Sequence, residues 1–335
     1  MLRDALGRLA SSTDLSESEA AGAMGEIMDG RASPVQIASF LTALRLKGET
    51  VPEITGCARA MRERAVRVDA GAGVILDTCG TGGDGLGTFN VSTVTAIVVA
   101  ACGIRVAKHG NRAASSKCGS SDLLEALGVR IDLSKDRIEA LLREVGIAYL
   151  HAPNFHPAMK HAAPVRKELG FRTIFNILGP MSNPAGANAQ VMGIFSPALV
   201  RPVAEVLGAL GSAHVFTFHG ADGLDELSTT GENHAIEMKD GRITEWTIGP
   251  ETIGVPRATV AQLQGGDAPV NAAIARGVLD GTKGPHRDVV LLNAALALVA
   301  ADAAEDPREG AAQAAFAIDS GAARKKLEAF VAASR

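Results

Sequence analysis

Aromatic residues make up only 4% of the 335-residue chain, with one Trp and one Tyr, while hydrophobic residues reach 47%. A core built from Ala, Val, Leu and Ile follows, which suits helices packed on a sheet. Cysteine is scarce as well. The four present (Cys57, Cys79, Cys102 and Cys118) form no C-x-x-C pair and no regular framework, so reduced thiols in a cytoplasmic protein are expected, with Cys79 a small apolar filler. An excess of positive charge is missing: 33 Lys and Arg against 37 Asp and Glu leave a net charge of −4. That removes a global electrostatic case for a nucleic-acid partner. Long apolar runs are missing too. Residues 94–102 and 289–301 are the most apolar stretches, short of the roughly 20 residues a membrane helix needs. Arg3 and Asp4 precede no apolar segment of a signal peptide, so a soluble protein without a membrane partner is expected.

What is present divides into two parts. The first 67 residues read as helices: Ser16-Glu17-Ser18-Glu19 caps one, Ser33-Pro34 opens another, Gly48 ends it, and Val51-Pro52-Glu53 starts a third reaching about Arg64. Ile37, Phe40, Leu41 and Leu44 recur at helical spacing. No strand pattern precedes Val74. Beyond the Asp69-Ala70-Gly71-Ala72-Gly73 linker, strands are expected at 74–77, 104–107, 147–150, 190–194 and 213–218. Helices are expected near 92–101, 121–127, 134–145 and 199–210, with a hairpin formed by 235–238 and 243–248. The expected fold is α/β: a small all-helical N-terminal domain (1–70), then a larger α/β domain (71–335) with a mostly parallel central sheet flanked by helices.

The densest chemistry is Gly80-Thr81-Gly82-Gly83-Asp84, followed by Gly85-Leu86-Gly87-Thr88-Phe89-Asn90-Val91-Ser92-Thr93, between an expected strand and an expected helix. That arrangement turns backbone N–H groups and a helix N-terminus toward a phosphate. No Gly-Lys-Ser/Thr follows, which excludes the nucleotide-triphosphate P-loop. Gly80, Gly82 and Gly85 fit the dinucleotide spacing, yet Asp84 sets a carboxylate inside the loop. An acid beside a pyrophosphate repels it unless a cation intervenes, so a metal-bound polyphosphate fits better than a dinucleotide.

Three further clusters stand out. Residues 108–120 hold Lys108, Arg112, Lys117, two glycines and several serines after an expected strand, which makes either a local anion site or a solvated basic loop. Asp222-Gly223-Leu224-Asp225-Glu226 offers hard oxygen ligands suited to Mg²⁺, although surface loops often carry two acids. Arg166, ahead of Arg172-Thr173-Ile174-Phe175-Asn176-Ile177-Leu178-Gly179-Pro180, is either a carboxylate clamp or a helix-surface arginine.

Gly-Thr-Gly-Gly-Asp, Asn-Val-Ser-Thr, Lys108-His109-Gly110-Asn111-Arg112, the Arg172–Pro180 segment and Asp222–Glu226 occur in the order seen in the anthranilate phosphoribosyltransferase family, which the chain resembles densely from about residue 35 to 230. Ala43–Thr50 and Ala60-Met61-Arg62 resemble it too. The resemblance implies transfer of phosphoribosyl from phosphoribosyl pyrophosphate to the amine of anthranilate, in tryptophan synthesis, with two Mg²⁺ per subunit. By motif it implies that Gly80, Gly83, Asp84 and Thr88 hold the pyrophosphate side, with Asn90, Val91, Ser92 and Thr93 beside it. Lys108, His109, Gly110, Asn111, Arg112, Ala113, Ala114, Ser115, Ser116 and Ser120 would line the ribose 5-phosphate and pyrophosphate. Ser92, Asp225 and Glu226 would hold metal, Ser92 also serving as a helix N-cap, and Gly80, Asn111 and Arg166 would contact anthranilate. No covalent intermediate is implied, and His109 is either a proton acceptor or structural. The family's helical domain usually forms a homodimer. Two rival readings are a pyrimidine nucleoside phosphorylase, which the run Gly119-Ser120-Ser121-Asp122 also resembles, and a non-catalytic nucleic-acid-binding relative. The first has no use for the Asp225-Glu226 pair, and the second predicts a basic surface.

Overall fold

Side-chain caps fix the N-terminal helices in the computed structural model, which describes residues 1–113 and 116–335. After α1 (Leu2–Ala10), the Ser16 hydroxyl accepts from the Glu19 N–H at 3.3 Å, and the Glu19 carboxylate accepts from the Ser16 N–H at 2.8 Å, opening α2 (Glu17–Met28). Ser33 and Gln36 repeat the device for α3 (Pro34–Lys47), with Pro34 in its first turn. Gly48 stops α3 at a φ of 88°. At the head of α4 (Val51–Glu63) the buried Glu53 carboxylate accepts from the N–H groups of Thr50 and Leu15 and from Lys47, each at 2.9 Å. A charge in the bundle core is thus fully partnered.

The chain then alternates through β1 (Ile75–Gly80), α5 (Val91–Ala101), β2 (Arg105–Gly110), α6 (Ser120–Leu127), α7 (Lys135–Glu144) and β3 (Ile147–His151). Short helices α8 (Ala152–Phe155), α9 (Ala163–Leu169) and α10 (Phe175–Leu178) precede β4 (Ala189–Gly193), α11 (Val200–Ala209), β5 (His214–His219), β6 (Asn233–Lys239) and β7 (Arg242–Ile248). Helices α12 (Ala268–Leu279), α13 (Pro285–Ala300), α14 (Pro307–Asp319) and α15 (Ala322–Ser334) complete it.

The seven strands form one sheet in the order β3-β2-β1-β4-β5-β6-β7. The first five run parallel, and the β6–β7 hairpin adds antiparallel to β5. The mostly parallel sheet with flanking helices matches the sequence expectation. Two details differ. The strand expected to stop at Ala107 continues to Gly110, so Lys108 and His109 are strand residues and not loop residues. Helices α8 to α10 were not anticipated, because elements of four to seven residues complete too few turns to show a period.

Two cores flank the sheet. One joins it to α5, α13 and α15 through Val94, Ile97, Leu296 and Phe330. The other joins it to the N-terminal helices: Phe40, Leu41 and Met61 meet Ile177, Met192, Val203 and Val215. Arg62 bolts this second core together, donating to the carbonyls of Met181 at 2.6 Å and Leu210 at 3.1 Å. No described helix is long and apolar enough to cross a membrane. Strand β1 is the hinge of the topology, with β2 on one side and β4 on the other. Open α/β sheets place a ligand crevice at such a switch point, beyond the strands' carboxyl ends.

Candidate active site

Four strands deliver the sequence clusters to that edge: β1 ends at Gly80, β2 at Gly110, β4 at Gly193 and β5 at His219. An ideal Cβ on Gly80 would lie 2.3 Å from Asp225 Oδ2, and one on Gly193 only 1.7 Å from the Asp225 carbonyl oxygen. Only glycine lets the acidic loop settle onto both strand ends. Gly82, Gly83, Gly85 and Gly87 then take positive φ, at 76°, 78°, 76° and 69°. The Gly82 N–H donates to the Asp225 carboxylate in a short hydrogen bond. Asp84 closes a local turn by accepting from the Leu86 N–H at 3.0 Å. Across the loop, Gln264 donates to the Leu86 carbonyl at 2.8 Å, the Gly265 N–H donates to the Gly87 carbonyl at 2.9 Å, and Thr88 bridges to Gln264.

Ser92 is not the N-cap of α5. That position belongs to Asn90, whose amide donates to the Cys118 carbonyl and accepts from Asn271, each at 3.0 Å. Ser92 lies inside the first turn, where its N–H donates to Glu226 Oε1 at 3.1 Å and its hydroxyl accepts from Lys108 Nζ at 3.2 Å. Lys108 also donates to the Thr78 carbonyl at 2.6 Å. Val91 is buried in the core. Thr93 is also buried, and its hydroxyl has no partner among the described residues.

Burial raises the proton affinity of both acids of the pair, and the nearby charge of Asp84 adds to it. Asp225 is held well above the usual carboxylate range by burial, then by Glu226 and Asp84. Glu226 is pushed up to about 7 by burial, with Lys108 and Ser92 opposing. Burial draws Lys108 down, against the attraction of Asp77. Asp77 itself accepts from the His109 N–H at 3.2 Å and from Asn183 at 2.8 Å.

The segment after β2 folds back on α6. An ideal Cβ on Gly119 would meet the Ala113 nitrogen at 2.3 Å, and Asp122 accepts from the N–H groups of Ala113 at 3.1 Å and Gly119 at 2.8 Å. Arg112 is spent on Asp122 at 3.0 Å and Glu125 at 2.6 Å. Asn111 is exposed, with its carbonyl accepting from the Ser121 N–H at 3.3 Å. Ser116 donates to the Cys118 carbonyl at 3.4 Å, Ser120 starts α6, and Ala114 and Ser115 lie outside the described residues.

His109 is buried with its ring centroid 5.0 Å from that of His156, and Nε2 of each ring has no partner among the described residues. Burial pushes His109 down to about 3 and His156 to about 4. Arg166 sits on α9 with its guanidinium 5.1 Å from the Phe175 ring centre, and burial lowers its proton affinity. The sequence reading missed several residues that hold the site. Asn271 bonds Asn90. Asn293 accepts from the Leu227 N–H at 3.1 Å and donates to its carbonyl at 2.8 Å. Asn233 accepts from the N–H groups of Ala221 and Ser228 at 3.0 and 2.8 Å. Buried asparagines in apolar helices α12 and α13 are the one signal that could have flagged the first two.

Two family models match: "Glycosyl transferase family, helical bundle domain" over residues 3–65 and "Glycosyl transferase family, a/b domain" over residues 72–324. The anthranilate phosphoribosyltransferase of Moorella thermoacetica is 55% identical over 332 residues, covering 99% of this chain and 98% of that one. The chain belongs to the anthranilate phosphoribosyltransferase family. The family member from Anaeromyxobacter dehalogenans is 54% identical over 334 residues, covering 100% of this chain and 99% of that one. Among solved structures, the anthranilate phosphoribosyltransferase of Thermus thermophilus superposes with a TM-score of 0.93 at 46% identity, covering 99% of both chains. The Saccharomyces cerevisiae enzyme, in complex with phosphoribosyl pyrophosphate (PRPP) and Mg, does so with a TM-score of 0.91 at 30% identity, over 99% of this chain and 97% of that one.

Proposed function

We propose that this chain transfers the phosphoribosyl group of PRPP to the amine of anthranilate, yielding N-(5-phosphoribosyl)anthranilate and pyrophosphate in tryptophan synthesis. The observation that carries this reading is the seating of the glycine loop on the buried Asp225-Glu226 pair at the ends of β1 and β4. Backbone donors for a diphosphate and hard oxygens for its counter-ion share one crevice.

The donor set fits Mg²⁺. Asp84, Asp225, Glu226 and the Ser92 hydroxyl are hard oxygen groups, and the raised proton affinity of the pair is that of crowded acids which a dication would compensate. Among the described residues no three His, Cys, Asp or Glu side chains stand together as a metal site. Substrate oxygens and water would complete the coordination, as is usual for Mg²⁺. We assign two ions per subunit, Ser92 holding one and Asp225 with Glu226 serving both. Held there, Mg²⁺ would supply neutralisation of the charge on a departing pyrophosphate.

The chain's own groups position and stabilise. Loop N–H groups not already engaged by Gly193, Asp225 and Asp84 would serve the diphosphate. Lys108, engaged by Thr78 and Ser92, holds the Ser92 hydroxyl in place. An aromatic amine is a weak nucleophile, so an oxocarbenium-like path fits. Once the C–N bond forms, the nitrogen is strongly acidic, and even a neutral imidazole as weakly basic as His109 suffices to take its proton. Exposed Val35 and Leu46 on α3, at 75% and 82% exposure, support a homodimer through the helical segment. The enzyme would act in the cytoplasm.

The test is direct. Purified protein with Mg²⁺, PRPP and anthranilate should consume anthranilate fluorescence; no loss with all three present sinks the assignment. Arg166→Ala should raise the anthranilate KM about 10- to 100-fold, the worth of one charge-assisted hydrogen bond to a carboxylate, with the PRPP KM within about twofold. An unchanged anthranilate KM removes Arg166 from the site.

A further inference from the structure

Arg172 lies between α9 and α10 and belongs to none of the groups assigned above. Its guanidinium carbon stacks 4.3 Å from the centre of the Phe195 ring, just past the end of β4. The same group presses on the glycine loop: an ideal Cβ on Gly83 would lie 2.9 Å from Arg172 Nη2 and 3.3 Å from Nε. Gly83 therefore admits the arginine as well as the loop's own turn. Phe195 is tied to the same loop, its N–H donating to the Thr81 hydroxyl at 2.9 Å, while the Thr81 N–H donates to the Gly193 carbonyl at 2.9 Å. Ring, guanidinium and loop thus pack as one cluster, with the guanidinium stacked on the ring.

That stack leaves the guanidinium's donors unspent. Arg64, Arg112 and Arg287 each carry a carboxylate partner. Arg172 has no hydrogen bond or ion pair among the described residues, although Glu49 and Arg45 line the same cleft. A planar fork held against the Phe195 ring, with Nη2 and Nε beside the glycine loop, suits a phosphate oxygen pair better than a single charge does. We propose that Arg172 is a ligand for the diphosphate held by the glycine loop, a side-chain cation acting alongside the metal site. The inference rests on the phosphoribosyl-transfer reading and names a further residue for the leaving-group half of it.

Calorimetric titration of the full-length protein with pyrophosphate and Mg²⁺, set beside steady-state kinetics, tests this. Arg172→Gln should weaken pyrophosphate binding about 10- to 100-fold and raise the PRPP KM in parallel, with the anthranilate KM within about twofold. Arg172→Lys should recover only part of the loss, since an ammonium lacks the fork. Pyrophosphate affinity within about twofold of the parent in Arg172→Gln overturns the proposal, and so does a rise confined to the anthranilate KM. Should Arg172→Gln not fold, Phe195→Leu keeps the charge and removes its platform. A several-fold loss of pyrophosphate affinity then supports the assignment, and unchanged affinity overturns it. Failure of the parent protein to consume anthranilate would defeat the functional reading alone, because the pyrophosphate titration still decides the role of Arg172.

Discussion

Asp225→Ala combined with Glu226→Ala should lower turnover at least about a thousandfold at every Mg²⁺ concentration, roughly 4 kcal/mol of transition-state stabilisation. The fold should survive, because the pair is a burden on the metal-free protein. Glu226 keeps its proton up to about pH 7 in the folded chain, against a reference value of 4.5. The folded state thus holds a proton that the unfolded chain has already released. The stability linked to that proton is complete below about pH 4.5 and is lost as the pH rises through about 7. Above pH 7 the double variant should therefore melt no lower than the metal-free parent. Mg²⁺ should raise the parent's melting temperature at pH 8 and much less at pH 5, where the metal competes with protons. It should leave the variant unmoved. A variant that still gains stability from Mg²⁺ would place the metal elsewhere.

Gly193→Ala should be the most damaging single methyl in the molecule. Its Cβ would fall 1.7 Å from the Asp225 carbonyl oxygen, a backbone atom that no rotamer change can move aside. The acidic loop must lift from the strand ends. Overpacking of this kind costs about 1–3 kcal/mol or more, and a displacement near 1 Å at the site costs about 100-fold in rate. Gly85→Ala is the control. It has positive φ but nothing within 4 Å of the added methyl, so only left-handed strain of about 1–2 kcal/mol applies. Urea unfolding and kcat measured side by side should separate the two. Equal losses in both variants would show that the Gly193–Asp225 approach has no special role.

These contrasts mark what the sequence could carry. The glycine loop and Asp225-Glu226 were legible because their chemistry is contiguous: glycines beside an acid, two acids side by side. Caps such as Ser16 and Ser33 were legible for the same reason, since a helix start is written within four residues. Lys108 was misplaced. Its neighbours read as a solvated basic loop or anion site, but it lies in β2 with its ammonium turned onto Thr78 and Ser92, and burial of a lysine leaves no local pattern. Ser92 reads as an N-cap, but the helix begins at Val91, two residues before that reading requires, giving the position to Asn90. Arg172, Asn271 and Asn293 owe their importance to partners far along the chain: Asn271 is 181 residues from Asn90 and Asn293 is 66 from Leu227. Such pairings are set by the packing of α12 and α13, and no spacing rule within a segment encodes them.

The arginine bolt between α4 and the sheet side bears on how such enzymes can be recombined. The break between matched segments at residues 65 and 72 suggests an N-terminal cassette that could be exchanged among relatives. Its packing says otherwise. The inner faces of α2 to α4 are completed by α9, α10, α11 and the backs of β4 and β5, and the Arg62 guanidinium needs two carbonyls, at Met181 and Leu210, that lie outside the cassette. A transplanted bundle would bring half of an interdigitated surface to a foreign counterpart. A graft that kept this surface whole would be larger and discontinuous, carrying α9 to α11 and all of β4 and β5 along with the bundle.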